Sequence, residues 1–515
     1  MTAIDDTNVF LPDLWHTHAT FSPDKDALIC GNIRRSWGEF DKNMSRIANA
    51  LMARGIGRGD KVAVLVSNNI EAVEIIYGVT RAGACVVPLS GLLTAEQLAV
   101  LIDDCDASFL IATNSYLERI ETIRDRLTKI DAGNFIAADF RAEGWVEFVH
   151  FLENASDQMP TVDYRLEDDF NIIYSSGTTG LPKGIVQTHR ARQHWSYSNA
   201  LELRFHSDAR AMTTTSLYSN GTWLMMLPVL FVGGTLVILP EFSPEAFLKT
   251  AVEHKITHTF MVPTQFIVTL DHPEFDDYDL GHLETVLCAG SPLRPDTKAD
   301  VLKRLTPNLV ELYGCSEGFG SMCKPHMHAI KPGSVGLPVL GFDLKIFDDD
   351  GKELARGESG EICGYGAGMM KAYYKREEQT AEIIVKDRHG RSFLRSGDIG
   401  RIDEDGYLYI MDRKKDMIIS GGFNIFPTDI ETIIGEHPDV LDVTVIGIPH
   451  EKWGETPLAL IIGRKGLEDT AEIVSWANNR LAKSQRIIDA ELRDEFPRNA
   501  LGKVVKRELR DPYWK

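Results

Sequence analysis

The sequence predicts an α/β protein: a large N-terminal domain of doubly wound sheets carrying a β subdomain, followed by a small α+β domain. Three observations carry that prediction. Short apolar runs alternate with helix-periodic stretches from residue 61 to about residue 289, short strands between polar turns take over after about Phe342, and the charge balance changes at Arg413. Strands alternating with helices build βαβ units and a largely parallel sheet, whereas turn-rich strands at close spacing build antiparallel structure.

Residues 61–67 (KVAVLVS) read as a buried strand. Residues 69–82 then place Val73, Ile76, Tyr77 and Thr80 on one helical face. Strands are expected at 85–89 and 109–112 with a helix at 96–103 between them, and the strand pattern returns at 171–175, 257–262 and 285–289. The longest apolar stretch, 223–239, is broken by Pro228 and Gly233-Gly234. It is shorter than the roughly 20 residues of a spanning helix, so it reads as a buried helix followed by a strand at 235–239. Later strands are expected at 343–347, 360–364 and 406–411, between turns such as Asp348-Asp349-Asp350-Gly351 and Asp403-Glu404-Asp405-Gly406. Beyond the charged cluster Asp412-Arg413-Lys414-Lys415-Asp416 comes a compact pattern of helix 428–436, strands 440–447 and 458–463, and helix 470–482. The expected boundary is therefore Asp412, dividing residues 1–411 from 412–515.

The 515 residues allow two to four folding units. With 55 basic against 75 acidic residues the formal charge is −20, which argues against a general binder of nucleic acid or anionic membrane. From Arg413 onward there are 16 basic and 17 acidic residues, so almost all the net charge lies in the larger domain. The final stretch is nevertheless basic, with Arg498, Lys503, Lys506, Arg507 and Arg510. Seven cysteines include no CxxC pair, which offers no zinc ribbon or thioredoxin-like motif and suits a reducing cytosol. The acidic N-terminus does not read as a signal peptide, nor the C-terminus as a peroxisomal or prenylation signal, and a cytoplasmic location is expected. The oligomeric state stays open, a homodimer included.

The strongest chemical signal is Tyr174-Ser175-Ser176-Gly177-Thr178-Thr179-Gly180-Leu181-Pro182-Lys183-Gly184, directly after an expected strand. Glycines let backbone N–H groups approach an anion, hydroxyls donate further hydrogen bonds, and Lys183 adds charge. The reading is a polyphosphate cradle, against the competing one of a flexible Gly/Ser/Thr loop. It is not a Walker A loop: Pro182 stands where the second glycine belongs and Gly184 where the metal-binding hydroxyl belongs.

This string closely resembles the phosphate loop of adenylate-forming enzymes, the superfamily of acyl-CoA synthetases, adenylation domains and firefly-type luciferases. Further matches follow in the family's order. Glu311-Leu312-Tyr313-Gly314-Cys315-Ser316-Glu317 resembles the adenine-binding segment with its magnesium-holding acid. Arg395-Ser396-Gly397-Asp398 resembles the motif whose aspartate accepts from the ribose hydroxyls. Residues 412–416 resemble the hinge, and Ser420-Gly421-Gly422-Phe423 the glycine segment after it. Pro497-Arg498-Asn499-Ala500-Leu501-Gly502-Lys503 resembles the motif carrying the catalytic lysine.

The resemblance implies an ATP-dependent acid–thiol ligase that joins a carboxylic acid to coenzyme A through an acyl-adenylate, releasing AMP and pyrophosphate. Lys503, Lys183 and Glu317 would be catalytic, with Mg²⁺ held by Glu317 and Thr179. Ser175, Ser176, Gly177, Thr178, Thr179, Gly180 and Lys183 would bind the phosphates. Gly290, Ser291, Tyr313, Gly314 and Ser316 would line the adenine site, Asp398 would reach the ribose, and Arg413 the ribose or phosphates. The C-terminal domain would be mobile, pivoting at Lys415, with Gly421, Gly422 and Phe423 along the CoA path. The alternatives are loading of a separate carrier protein, or a non-catalytic adenylate-binding paralogue.

Two segments depart from the pattern. Where many relatives carry a histidine gate, this chain has Thr215-Ser216-Leu217-Tyr218-Ser219-Asn220-Gly221, leaving Tyr218 or Ser219 at that position. No acid lies between Arg210 and Pro240 to pair with an α-ammonium, which argues against an amino-acid substrate. Ser484-Gln485-Arg486-Ile487 replaces the usual YKxP. The expected pocket walls are Tyr218, Trp223, Met225, Met226, Thr264, Phe266, Cys315, Phe319 and Met322. Apolar and sulfur-bearing walls suit a hydrophobic aryl or medium-chain acid, and the same residues would equally suit core packing. His189 reads as a packed or helix-capping histidine.

Overall fold

The computed structural model describes residues 8–175, 182–420, 423–464, 466–483, 485–498 and 504–514. The chain forms two compact bodies. The first comprises Met1–His326, Pro338–Phe342 and Gly366–Glu382; the second comprises Met327–Leu337, Asp343–Tyr365 and Ile383–Lys515.

The first body is built on two sheets. In one, Lys61–Leu65 is the hub: Cys85–Pro88 and Ala107–Ala112 run parallel to it on either side. Asp169–Ser175 joins parallel to Cys85–Pro88, and Lys183–Thr188 then Ala372–Tyr373 close that edge antiparallel. In the other, Thr235–Ile238, Arg210–Thr213, His258–Met261, Thr285–Cys288 and Leu309–Gly314 run parallel, and Gly320–Cys323 turns back against the last.

Alternation along the strands decides the layering. Val62 and Val64 face one core while Ala63 and Leu65 face another. In the second sheet Ala211 and Phe260 share the first of those cores, and Met212 and Met261 face a third. A strand buried on both faces needs apolar residues at every position, which is why these strands read as continuous runs. The shared core holds helices Leu11–Phe21, Trp37–Met52, Ile70–Arg81 and Trp223–Phe231. Asn69 starts Ile70–Arg81 by accepting from Ala72 N–H at 2.7 Å, so the expected helix is present with its cap.

The second body contains an antiparallel sheet of Phe342–Phe347, Ser359–Gly366, Ile384–Lys386, Ser392–Ile402 and Leu408–Arg413. Asp412 lies within its last strand. A further sheet follows, dominated by the hairpin Val440–His450 with Gly454–Gly463 and faced by helices Pro427–Gly435 and Ala471–Asn478. Among the described residues no helix is long and apolar enough to cross a membrane.

Sequence periodicity missed helix His189–Glu202. Its inward face buries Arg192, His194, Ser196 and Asn199, so hydrophobicity carries no helical period there.

Candidate active site

The loop expected to cradle phosphates lies between Asp169–Ser175 and the antiparallel Lys183–Thr188, with Ser175 registered opposite Lys183. Ser176, Gly177, Thr178, Thr179 and Gly180 lie outside the described residues, as do Gly421, Gly422 and Lys503. Lys183 is described: its Nζ lies 4.7 Å from the ring centroid of Tyr373, a cation–π distance.

Tyr373 reaches that place because Ala372–Tyr373 pairs with Ile185 and Val186, two and three residues after the lysine. Its hydroxyl donates to Glu317 Oε1 at 2.7 Å. Burial pushes the Tyr373 phenol's pKa upward, and the Glu317 carboxylate adds to that, so the ring remains a neutral donor. One side chain thus links the lysine that follows the phosphate loop to the acid expected to hold magnesium.

Backbone contacts fix the glutamate's turn. Glu317 C=O accepts from Met370 N–H at 2.7 Å, and Ser316 C=O accepts from Gln187 Nε2 at 3.0 Å. Gly318 sits at φ +115°, and a Cβ there would meet Gly368 O at 2.2 Å. Only glycine permits this crossing.

Gly290 and Ser291 follow the carboxyl end of Thr285–Cys288, with Gly290 at φ +95°. Tyr313 and Gly314 end the neighbouring parallel strand Leu309–Gly314, so the four converge at adjacent strand ends. Open α/β sheets bind ligands at such carboxyl ends.

Among the expected pocket walls, Trp223, Met226 and Met322 are core members, Phe266 and Phe319 are buried, Tyr218 and Cys315 are half-buried, and Thr264 is exposed. The gate segment is pinned by Asn68, whose Oδ1 accepts from Leu217 N–H at 3.1 Å, and by Thr222 Oγ1 donating to Ser216 C=O at 2.7 Å. His189 is buried among the rings of Phe10, Tyr164 and Phe170, and desolvation pushes its pKa down to about 4. It is a packed neutral histidine, and Thr188 is the helix cap.

In the second body Asp398 and Arg413 are registered opposite one another, with Nε 3.6 Å from Oδ1. Lys414 pairs with Asp349 at 2.7 Å and Glu361 at 3.2 Å. Lys415 C=O accepts from Arg510 Nη1 at 3.3 Å. Buried Asp412 accepts from Thr428 N–H at 2.9 Å and Oγ1 at 3.1 Å. Phe423 is 66% exposed, in the hairpin of Ile418–Ser420 with Phe423–Ile425.

Comparison with known proteins now decides the family: the AMP-binding enzyme model matches residues 15–374, and the AMP-binding enzyme C-terminal domain matches residues 429–503. The chain belongs to the AMP-binding enzymes. This AMP-binding enzyme is 34% identical to a feruloyl-CoA synthase of an Amycolatopsis species, over 96% of each chain. It is 32% identical to an indoleacetate–CoA ligase of Aromatoleum aromaticum, again over 96% of each. ATP-bound MatB from Rhodopseudomonas palustris superposes with TM-score 0.88 at 28% identity, covering 98% of this AMP-binding enzyme and 99% of that chain.

Two residues of interest escaped the sequence reading. Tyr373 sits in a run, Ala372-Tyr373-Tyr374, with no chemical signature of its own, and only strand pairing brings it to Lys183 and Glu317. Arg192, fully buried in helix His189–Glu202, left no signal in the sequence, because the helix itself was not expected there.

Proposed function

We propose that this AMP-binding enzyme is an acyl-CoA synthetase, converting a hydrophobic aryl or medium-chain acid to its CoA thioester through an acyl-adenylate. The observation that carries the reading is the linked set Lys183, Tyr373 and Glu317: a cation with no carboxylate partner among the described residues, held beside an oriented carboxylate. Its relatives' names as CoA ligases on aryl and fatty acids support the choice of acceptor.

A carboxylate is a poor acylating group because its leaving group would be oxide. Attack of its oxygen on the α-phosphate of ATP needs charge neutralisation and in-line positioning rather than a protein nucleophile. The donor set suits Mg²⁺, a hard ion that takes carboxylate and phosphate oxygens: Tyr373 occupies Glu317 Oε1, and Oε2 has no partner among the described residues. When bound, the ion supplies charge neutralisation at the phosphates. Lys183 would contact the β- and γ-phosphates, Asp398 the ribose, Arg413 the ribose or phosphates, and Lys503 the α-phosphate. Gly290, Ser291 and Tyr313 would seat the base. After adenylation the residues beyond the Lys415 hinge would rotate, withdrawing Lys503 and bringing the Gly421-Gly422-Phe423 segment to the thiol. The enzyme would work in the cytoplasm on small molecules.

The test is ATP–pyrophosphate exchange over a panel of carboxylic acids, with and without CoA. Acid-dependent exchange followed by thioester formation on adding CoA is expected. Exchange with no acid, or no thioester with any acid that exchanges, would overturn the reading.

A further inference from the structure

Arg192 is wholly buried, yet among the described residues no carboxylate pairs with it. Its Nε donates to Asn171 Oδ1 at 2.7 Å and its Nη2 donates to Asn220 Oδ1 at 2.9 Å. The guanidinium lies over two indoles, 4.7 Å from Trp223 and 5.1 Å from Trp195. Nη1 is buried with no partner.

Two further buried donors nearby are in the same condition. Asn171 Nδ2 belongs to the amide whose oxygen takes the Nε bond, and it too has no partner. The Tyr77 hydroxyl is buried and unpartnered, with its ring 6.2 Å from that of Trp223. Buried polar groups are normally satisfied, and a buried cation is costly unless paired. Burial pushes the guanidinium's pKa down to about 9, so it still carries its charge at neutral pH. Arg192 and the Tyr77 phenol both lie against Trp223, and Asn171 is bonded to Arg192; each carries a buried donor that lacks an acceptor.

The location says where that acceptor comes from. Asn220 lies in the gate segment and Trp223, a core member, opens the helix after it, in the stretch that the family resemblance assigns to the acyl pocket. We propose that Arg192, Asn171 and Tyr77 form a donor-lined end of that pocket, which takes an oxygen acceptor at the end of the acid remote from the reacting carboxylate. The substrate class is then an acid with an apolar body and a terminal phenolic, carbonyl or carboxylate oxygen, rather than a plain hydrocarbon acid. This inference rests on the acyl-CoA synthetase reading. It also narrows the argument from apolar walls, because a second polar group opposite Arg192 would be paired rather than stranded.

The experiment compares matched acids with and without the distal oxygen: 4-hydroxycinnamate against cinnamate, 4-acetylbenzoate against 4-ethylbenzoate, and adipate against hexanoate. Initial rates of pyrophosphate release and calorimetric binding of each acid are measured. Wild-type enzyme should prefer the oxygenated member of at least one pair by about tenfold or more, because a site built to hydrogen-bond an oxygen rejects the analogue lacking it. In Arg192→Met that preference should collapse toward unity, with the loss entering KM for the oxygenated acid rather than kcat. Tyr77→Phe, which keeps the ring, should reduce it partly and serves if Arg192→Met fails to fold. No preference in any wild-type pair, or a preference that survives in the variants, overturns the proposal. Failure of wild-type enzyme to release pyrophosphate with every acid overturns the synthetase reading instead.

Discussion

Two cations in this molecule, one half-buried and one wholly buried, are settled in opposite ways. Lys506, in the second body, meets Glu431 at 2.7 Å and lies in the field of Asp412. Burial by itself would lower its pKa, but the two carboxylates outweigh that and hold it above the ordinary lysine value. Arg192, in the first body, has two amide oxygens and two indole faces, and burial prevails. The difference separates a cation that holds structure from one that keeps its charge for an incoming group. On the proposed function Lys183 would belong with the second kind: it rests on the face of Tyr373, which steadies an ammonium without competing for it as a carboxylate would.

The contrast is sharpened most by Lys503, which should behave as an uncommitted cation. Lys503→Ala should lower adenylation by roughly 10²–10³-fold, as loss of one transition-state charge contact typically does. Thioester formation from supplied acyl-adenylate should suffer far less, and equal losses in the two half-reactions would remove Lys503 from the comparison.

Lys506→Met should cost stability rather than chemistry, about 1–3 kcal/mol in denaturant unfolding, because it leaves Glu431 beside Asp412 with, among the described residues, only the Val445 N–H and Thr444 hydroxyl donating to it. Arg192→Met leaves no orphaned carboxylate and should cost less. Similar losses in the two variants would break the distinction. The Lys506 contribution should be complete below its unfolded pKa and fade as pH rises through the raised folded value.

His189 shows a third solution, burial without charge. Its folded pKa, about 4, lies below the ordinary 6.5, so the unfolded chain binds the extra proton first. Its contribution is complete above pH 6.5 and is lost as pH falls from 6.5 toward 4, by up to about 3 kcal/mol. His189→Phe should flatten the pH dependence of stability across that window. An unchanged slope would assign the acid sensitivity elsewhere, for example to His258, also held at about 4 by burial.

Lys415→Pro should leave ATP–pyrophosphate exchange largely intact while slowing thioester formation by roughly tenfold, since proline fixes φ near −65° at the proposed pivot. Wild-type thioester rates would place the pivot elsewhere. The smallest effect is expected from Tyr373→Phe, which keeps the ring under Lys183 but deletes the hydrogen bond to Glu317. The Mg²⁺ concentration for half-maximal ATP binding, read by calorimetry, should rise about three- to tenfold. Tyr373→Leu should in addition weaken ATP binding itself. Equal behaviour of the two variants would mean that the ring face contributes nothing to holding Lys183.

The layered α/β body was legible because strands such as Lys61–Leu65 are buried on both faces and so must be apolar throughout. The hairpin of Val440–His450 with Gly454–Gly463 and the helix Pro427–Gly435 were legible from ordinary periodicity. The family was legible in the strings around Lys183, Glu317 and Asp398, whose residue types resemble family motifs expected to serve phosphate, metal and ribose. Helix His189–Glu202 was not, since its buried face is polar and hides the period. Only the tertiary structure could join Tyr373 to Lys183 and Glu317, through the edge pairing of Ala372–Tyr373, or bring Arg192, with Asn171 bonded to it, and Tyr77 to Trp223. Sequence by itself determined which local strings could do the chemistry. Which distant side chains steady those strings, and which buried donors await an acceptor, was decided by strand register and packing, because neither leaves a mark at fixed spacing along the chain.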